Sequence, residues 1–438
     1  MTASTTASAA PRVLAARLSE LPPTDQPVRL CGWVHRRRRL ASVAFLIVRD
    51  RSGLAQVVVR DPATRALVDG LTEESVISVC GVVVTDPAAP GGAELVDPRI
   101  EVLARPSEPV PVELWRPSLN VGLPTLLDHA DVTLRHPARR AAFTLAAAAV
   151  RGFRTSLTEA GFTEVHTPKI VGSATESGAN VFGLDYFGRP AFLAQSPQFY
   201  KQTMVGVFER VFEVGPVFRA EPHDTVRHLA EYVSLDAELG FVADHRDVMA
   251  VLADVVRGMV AAVRAEPAAC ELARARLPVV PETIPALHFA DALALVGAPA
   301  DEPDLAPEHE RALGEWAQAE HGSDFVFVTG YPMRKRPFYT HPQPDDPRWS
   351  NSFDLLFRGL ELVTGGQRLH RYDDYVTAIR ARGQDPADYA SYLAPFAHGM
   401  PPHGGFAFGL ERFVARLTGA ANVRETTLFP RDLHRLTP

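Results

Sequence analysis

The stretch Val217-Phe218-Arg219-Ala220-Glu221, followed by Arg227-His228-Leu229 and then by Glu231, Asp236 and Glu238, alternates guanidinium and carboxylate side chains between two apolar runs. Arginine forks can clasp the oxygens of a polyphosphate, while the interleaved acids can engage an amino group or a metal ion. If the two runs pair as a strand-loop-strand, these groups gather on one hairpin. The same spacing also suits a cross-strand ion-pair ladder with no ligand, and the pattern alone leaves both readings open.

A second stretch, Gly404-Gly405-Phe406-Ala407-Phe408-Gly409-Leu410-Glu411-Arg412, reads as a glycine-rich strand entering a helix. Its glycines permit close backbone approach, and Arg412 could cover a flat base or meet phosphate. A lone glycine-rich turn is as readily structural; this one gains weight from the arginine-acid hairpin. Almost all the basic side chains are arginine, the exceptions being Lys169, Lys201 and Lys335. A compact ammonium does a job that arginine's flat fork does not, so each lysine is a candidate in its own right.

The elements that must hold these residues fall into two regions. From Val28 to about Leu103, apolar runs such as Ala44 to Val48, Ala55 to Val59 and Val76 to Val84 alternate with turn signals including Asp50-Arg51-Ser52-Gly53, which predicts a small barrel over residues 11–104. Pro106, Pro109, Pro111, Pro117 and Pro124 predict a stiff connector, placed at 105–135. Residues 136–438 read as mixed helix and strand. They begin with a helix from Ala138 to Ala160 that stops at Gly161, and strands are expected at Arg210 to Val217, Phe325 to Val328, Leu360 to Val363 and Gly405 to Phe408. Residues 264–320, rich in Ala, Pro and acid, are expected to form a helical insertion.

The 438 residues, 46% of them apolar, exceed one ordinary domain, so two or three are expected. A formal charge of −7 argues against a protein that coats nucleic acid, although a local patch such as Arg36 to Arg39 could still bind it. Cys31, Cys80 and Cys270 share no metal or disulfide spacing, which fits a reducing cytoplasm. No run has the length of a membrane span. Residues 1–10, Ser/Thr/Ala-rich and without a charged side chain, read as a disordered tail.

Together the hairpin and the glycine-rich stretch resemble motifs 2 and 3 of the class II aminoacyl-tRNA synthetases. The helix ending near Gly161 and the segment Phe162 to Pro168 resemble motif 1, the dimer-forming element. The resemblance implies an α+β chain, with an N-terminal OB-fold β-barrel before a class II catalytic domain whose antiparallel sheet is flanked by helices. The barrel residues Gly32-Trp33-Val34, Phe45, Arg49-Asp50, Gly53 and Gln56 narrow the likeness to the aspartyl, asparaginyl and lysyl subclass. Within it, Gln195-Ser196-Pro197-Gln198-Phe199-Tyr200-Lys201-Gln202 and Gly365-Gly366-Gln367-Arg368 resemble the aspartyl-tRNA synthetase family, in its compact archaeal-type form. Residues 239–403 between the motifs are too few for the extra domain of the longer bacterial form.

This family implies that aspartate is activated with ATP and transferred to tRNA by a cytoplasmic homodimer. It assigns the aspartate pocket to Glu176, Ser196, Gln198, Lys201, Arg219, Asp236, Thr364 and Arg368. It assigns ATP to Arg219, Ala220, Glu221, Arg227, His228, Leu229, Glu361, Gly409, Leu410, Glu411 and Arg412. Arg219, Glu361 and Arg412 are the implied catalytic residues. Mg2+ falls to Glu361 and Thr364, where the family pattern usually has serine at the second place. Two cations, Lys201 and Arg368, suit a carboxylate and leave a neutral amide mispaired.

The barrel would read the anticodon through Phe45 and Gln56, with Arg36 to Arg39 attracting phosphate. Strictly discriminating archaeal relatives tend to carry tryptophan where this chain has His35, and a lysine in the loop where it has Pro87 and Pro90. The resemblance therefore implies that tRNA(Asn) is charged as well as tRNA(Asp), with a downstream amidotransferase as a possible partner. The alternatives are a strictly tRNA(Asp)-specific enzyme, an asparaginyl-tRNA synthetase, a tRNA-independent asparagine synthetase and a non-enzymatic RNA-binding paralogue.

Overall fold

The computed structural model describes residues 10–22, 25–172, 181–220, 222 and 224–437. The chain divides into two compact units, residues 1–137 and 138–438. All but Ala10 of the expected tail lies outside the described residues.

In the first unit, Val28–Arg39 (β1), Ala44–Arg49 (β2), Leu54–Val59 (β3), Val76–Thr85 (β4) and Ala93–Ala104 (β5) close into a barrel in the order β1-β2-β3-β5-β4. Period-two patterning turns Leu30, Val34, Leu46, Val48, Ala55, Val57, Ile77, Val79 and Leu95 into one buried core. Pro62–Asp69 (α1) joins β3 to β4, and Asp61 caps it by accepting a hydrogen bond from the Thr64 amide. Residues 105–135 are more than a stiff connector. Val112, Leu114, Leu127, Ala130 and Thr133 are buried there, and Leu123–Asp128 (α2) and Ala130–Thr133 (α3) form short helices. The apolar side chains between the prolines are removed from water, which an extended spacer would not achieve.

Pro137–Glu159 (α4), all but its first residue in the second unit, ends before Gly161 at φ 80°. Thr163–Glu164 (β6) follows, then a small sheet of Ile170–Val171 (β7), Gly183–Tyr186 (β8) and Arg189–Leu193 (β9), ordered β7-β9-β8. Gln198–Phe208 (α5) leads into the hairpin Arg210–Phe218 (β10) and Glu231–Gly240 (β11). His245–Arg264 (α6), Pro267–Leu272 (α7), Ala286–His288 (β12), Phe289–Leu295 (α8) and Pro307–His321 (α9) come next. Phe325–Thr329 (β13), Ser352–Phe357 (β14) and Glu361–Arg368 (β15) precede Tyr372–Ala381 (α10), Ala390–Ala397 (α11), His403–Gly409 (β16) and Leu410–Thr418 (α12).

Eight of these strands form one sheet in the order β12-β13-β14-β15-β16-β11-β10-β6. The pairings from β13 to β10 are antiparallel, as expected, but both edge strands, β12 and β6, join in parallel. Residues 264–320 are accordingly not helical alone: they supply β12, while α8 and α9 bury Phe289, Leu293, Leu313 and Ala317 against β13 and β14. On one face of the sheet, α4 and α6 pack Leu145, Phe153, Leu252 and Met259 against Phe212, Leu235, Phe353 and Phe406. Alternation then turns Tyr232, Ser234, Asp236 and Glu238 of β11 to the other face, opposite Leu235 and Ala237. Among the described residues no helix is long and apolar enough to cross a membrane.

Candidate active site

A cavity of about 640 Å³ opens on that second face. Its wall carries Arg219 and Tyr232 from the ends of β10 and β11, Arg227, His228 and Leu229 from the loop between them, Glu361, Thr364 and Arg368 from β15, and Gly409, Glu411 and Arg412 from the β16–α12 junction. The Arg219 guanidinium lies over the Tyr232 ring, 5.6 Å from its centre. Arg412 donates to the Glu361 carbonyl at 3.1 Å. The Glu361 side chain is 42% exposed, and the Thr364 hydroxyl donates to its Oε1 at 3.2 Å. Across the ladder from Thr364 stands Asp354, whose Oδ2 accepts from Arg336 at 2.9 Å while Oδ1 has no hydrogen-bond partner. Burial, aided by the nearby Glu361 charge, pushes the Asp354 carboxyl up to about 6 against the pull of Arg336. Among the described residues no three His, Cys, Asp or Glu side chains cluster as a metal site.

Beneath the cavity lies a buried quartet of charges. Lys201, 1% exposed, donates to Asp236 Oδ1 at 2.9 Å and to the Phe406 carbonyl at 3.1 Å, and stands 3.4 Å from Glu238 Oε2. Arg368 donates to Glu238 Oε1 at 3.0 Å, to the Gly405 carbonyl at 3.1 Å and to Gln198 Oε1 at 3.4 Å. Burial works to raise the Glu238 carboxyl, but Arg368 and Lys201 outweigh it and hold it below the usual carboxylate range. Two cations and two anions cancel, which is the condition for burying them together. The Gln198 side-chain nitrogen is left without a hydrogen-bond partner. Gly405 is required here, since a β-carbon would fall on the Glu238 carboxylate and the Ala237 carbonyl.

Behind the quartet, Gln202 donates to Tyr375 Oη at 2.9 Å and to His403 Nε2 at 2.8 Å, and accepts from the Tyr392 hydroxyl at 2.8 Å. His403 Nδ1 in turn donates to the Pro401 carbonyl at 2.8 Å. Burial drives the His403 imidazole down to about 4, so it stands neutral, with its proton on Nδ1 and Nε2 accepting.

On the barrel, Phe45 is half-buried and lies between Arg38 of β1 and Val58 of β3. Gln56 donates to Glu94 of β5 at 2.9 Å. His35 does not face outward: it is the extra residue of a bulge in β1, 6% exposed, with its Nδ1 3.2 Å from Arg49. Burial, then the Arg49 charge, lowers its imidazole to about 4. Arg49 makes two 2.8 Å bonds to Glu74, which also accepts from Arg135 at 3.0 Å. Of the expected phosphate patch, Arg37 donates to the Val68 and Asp69 carbonyls at the end of α1, Arg39 pairs with Asp69, and Arg36 stacks on Trp115 at 4.1 Å. Arg38 alone of the four lacks such a partner among the described residues. Pro87 is exposed and Pro90 half-buried in a loop closed by Asp86, whose amide donates to the Gly92 carbonyl at 3.1 Å.

Residues 123–433 match the class II tRNA synthetases (D, K and N), and residues 28–103 match the OB-fold nucleic acid binding domain. The chain belongs to the class II tRNA synthetases. It is 48% identical to the aspartate–tRNA(Asp/Asn) ligase of Thermus thermophilus, over 94% of this chain and 97% of that one. Identity to the aspartate–tRNA(Asp/Asn) ligase of Deinococcus radiodurans is 47%, covering 96% and 98%. Among solved structures, asparaginyl-tRNA synthetase from Pyrococcus horikoshii with asparaginyl-adenylate superposes with a TM-score of 0.89 at 33% identity, covering 96% of this chain and 98% of that one. Aspartyl tRNA synthetase from Entamoeba histolytica gives 0.84 at 29%, covering 96% and 92%. Enzymes of this family use ATP, and tRNA is the synthetase's partner.

Of the residues that the sequence nominated, the synthetase brings Gln198, Arg219, Arg227, His228, Leu229, Glu361, Thr364, Arg368, Gly409, Glu411 and Arg412 to one cavity. Ser196, Lys201, Ala220, Asp236 and Leu410 are not on its wall. Ser196 accepts from the Gln198 amide at 3.3 Å, and Leu410 belongs to the apolar core. Glu411 reaches the wall, yet it serves the fold by accepting from the Val233 amide at 2.9 Å, and burial pushes its carboxyl up to about 7. Glu176 and Glu221 lie outside the described residues. Sequence reading missed Arg334, Arg336, Tyr339 and Arg382 on the wall. It also missed Arg424, which pairs with Asp224, donates to the Thr225 carbonyl at 3.0 Å and so pins the loop of Arg227. The scarcity of lysine was a usable signal for Lys335 beside them.

Proposed function

We propose that this synthetase is an aspartate–tRNA(Asp/Asn) ligase, activating L-aspartate with ATP and aspartylating both tRNA(Asp) and tRNA(Asn). The observation that carries the reading is the buried Lys201–Arg368 pair beneath a cation-lined cavity, in a chain close in sequence to ligases of that name. A side-chain carboxylate entering from the cavity meets Arg368 and the unpartnered Gln198 nitrogen. As Asp236 turns to the substrate ammonium, Lys201 is released to the same carboxylate. An amide in place of that carboxylate would turn its NH2 group towards one of the two cations, Arg368 or Lys201, and the mismatch is the source of selectivity.

The triphosphate lies along Arg219, Arg227, His228 and Arg412. Glu361 and Thr364 supply hard oxygen donors, and the Asp354 carboxylate, held by Arg336, stands across the ladder from Thr364. Mg2+ held by Glu361 and Thr364 would supply charge neutralisation of the phosphates. Arg219 orients the α-carboxylate of aspartate for attack on the α-phosphorus; the new C–O–P bond forms as the bond to pyrophosphate breaks. Arg219 also offsets the charge that gathers on the phosphorus oxygens. A terminal ribose hydroxyl of the tRNA then attacks the activated carbonyl and AMP departs. No protein nucleophile takes part.

The barrel presents Phe45 to stacked anticodon bases. His35, being buried, acts on tRNA choice through the Arg49–Glu74 pair it supports rather than by touching a base. We further propose a cytoplasmic homodimer, with an amidotransferase converting the aspartyl-tRNA(Asn) product.

The test is aspartylation of tRNA(Asp) and tRNA(Asn) transcripts side by side, with pyrophosphate exchange driven by aspartate or by asparagine. Charging of tRNA(Asp) alone refutes the dual specificity; exchange with asparagine but not aspartate refutes the whole reading. Arg219→Ala should abolish exchange while leaving the thermal midpoint within a few degrees of the parent, as checked by calorimetry.

A further inference from the structure

One acid from residues 264–320 touches two parts of the cavity wall at once. Glu310, in the first turn of α9, is buried, and its Oε2 accepts from Arg227 Nη1 at 3.2 Å and from the Glu361 amide at 3.1 Å. Arg227 belongs to the loop between β10 and β11, and Glu361 opens β15. A single carboxylate oxygen therefore ties the loop to the strand.

The depth at which α9 sits is itself fixed by backbone contact. Four residues beyond Glu310, Gly314 packs against the turn that leads into β15: a β-carbon at 314 would stand 2.5 Å from the Gly359 amide nitrogen, and one at 359 would stand 2.7 Å from Arg311 Cα. Residues four apart share one helix face, so this contact delivers Glu310 to the start of β15. Arg358 anchors the same turn to Asp324 with bonds of 2.9 and 3.1 Å.

We propose that Glu310 is a positioning residue of the Mg2+–ATP subsite, holding Arg227 and the Glu361 backbone in register on one oxygen. The proposal rests on the reading above, in which Arg227 and Glu361 meet the triphosphate and its Mg2+. Glu310 carries the same sign of charge as the nucleotide, so its direct electrostatic effect on ATP is unfavourable. Its benefit comes through the groups it orients, and this sets the sign of the test.

The experiment is calorimetric binding of a non-hydrolysable ATP analogue with Mg2+ to the full chain, alongside the KM for ATP and for aspartate in pyrophosphate exchange. Glu310→Ala should weaken analogue binding by about tenfold and raise the ATP KM to match, as expected for losing an outer-shell acceptor, with the aspartate KM unchanged. Glu310→Gln keeps an acceptor oxygen in place and should stay within about threefold of the parent. Glu310→Asp keeps the charge on a shorter arm that cannot reach both donors; it should show the larger loss, and it carries the test if the alanine variant does not fold. Binding by the alanine or aspartate variant as tight as the parent's, or tighter, would overturn the proposal, as would a glutamine variant as impaired as alanine. Glu361→Gln separates this from the underlying reading: if it binds the Mg2+ analogue normally, that reading fails. If it is impaired while Glu310→Ala is not, the positioning role alone fails.

Discussion

Removing the Lys201 ammonium would leave Asp236 and Glu238 buried side by side without their shared cation. Breaking a buried ion cluster at one member typically costs about 3–5 kcal/mol, because the remaining charge is uncompensated. Lys201→Met is therefore expected to lower the unfolding free energy by that order in urea denaturation; an unchanged midpoint would mean that the cluster is not charged as described. His403 makes a pH prediction at the same scale. Its folded value, about 4, lies below the ordinary 6.5, so between these the unfolded chain binds more protons. The stability it contributes is present above about pH 6.5 and is lost as pH falls towards 4. The stability gap between the parent and His403→Gln should narrow over that window, and a gap that widens on acidification would show that the imidazole is protonated in the fold.

The hairpin β10–β11 and the strand β16 illustrate what an element must do besides carry residues. Period-two alternation sends Leu235 and Ala237 into the α4–α6 core and Asp236 and Glu238 into the charge quartet, so the core and the site are two faces of one strand. β16 lies directly against β11, Ala237 opposite Phe406 and Glu238 opposite Gly405. Gly405→Ala should displace the Glu238 carboxylate and with it Arg368. The expected outcome is a loss of at least about 2 kcal/mol in stability, the range for forced overpacking, together with a raised aspartate KM and a smaller change in the ATP KM. An ATP KM that rises while the aspartate KM holds would contradict this placement.

The whole molecule comprises two compact units: one is a barrel with aromatic and basic side chains, the other holds the cavity and its cations. Phe45→Ala should leave aspartate-driven pyrophosphate exchange intact and raise the tRNA KM. A loss of one stacking contact, about 1–3 kcal/mol, corresponds to roughly five- to 150-fold. Exchange measured without tRNA and charging measured with it give the comparison; a variant defective in both would break the division of labour. The catalytic unit also shows why residues 264–320 were opaque in sequence. Their single buried acid, Glu310, bonds to partners at 227 and 361, far away along the chain.

The sequence by itself determined the barrel, the hairpin and the glycine-rich strand, because period-two apolar patterning and glycine spacing are local properties of the chain. The alternation of arginines and acids singled out Arg219 and the glycine-rich stretch Arg412, and the resemblance to the synthetase motifs added Glu361 and Arg368; the fold gathers all four at one cavity. What only the tertiary structure decided concerns burial and pairing. His35, singled out only for standing where discriminating relatives carry tryptophan, is turned inward by a bulge, three of the four arginines from 36 to 39 proved to be engaged within the barrel unit, and Lys201 proved to be already held by two acids. Those outcomes depend on which residues from distant strands end up within a few ångströms. Charges out of water are governed by such neighbours, and linear spacing does not encode them.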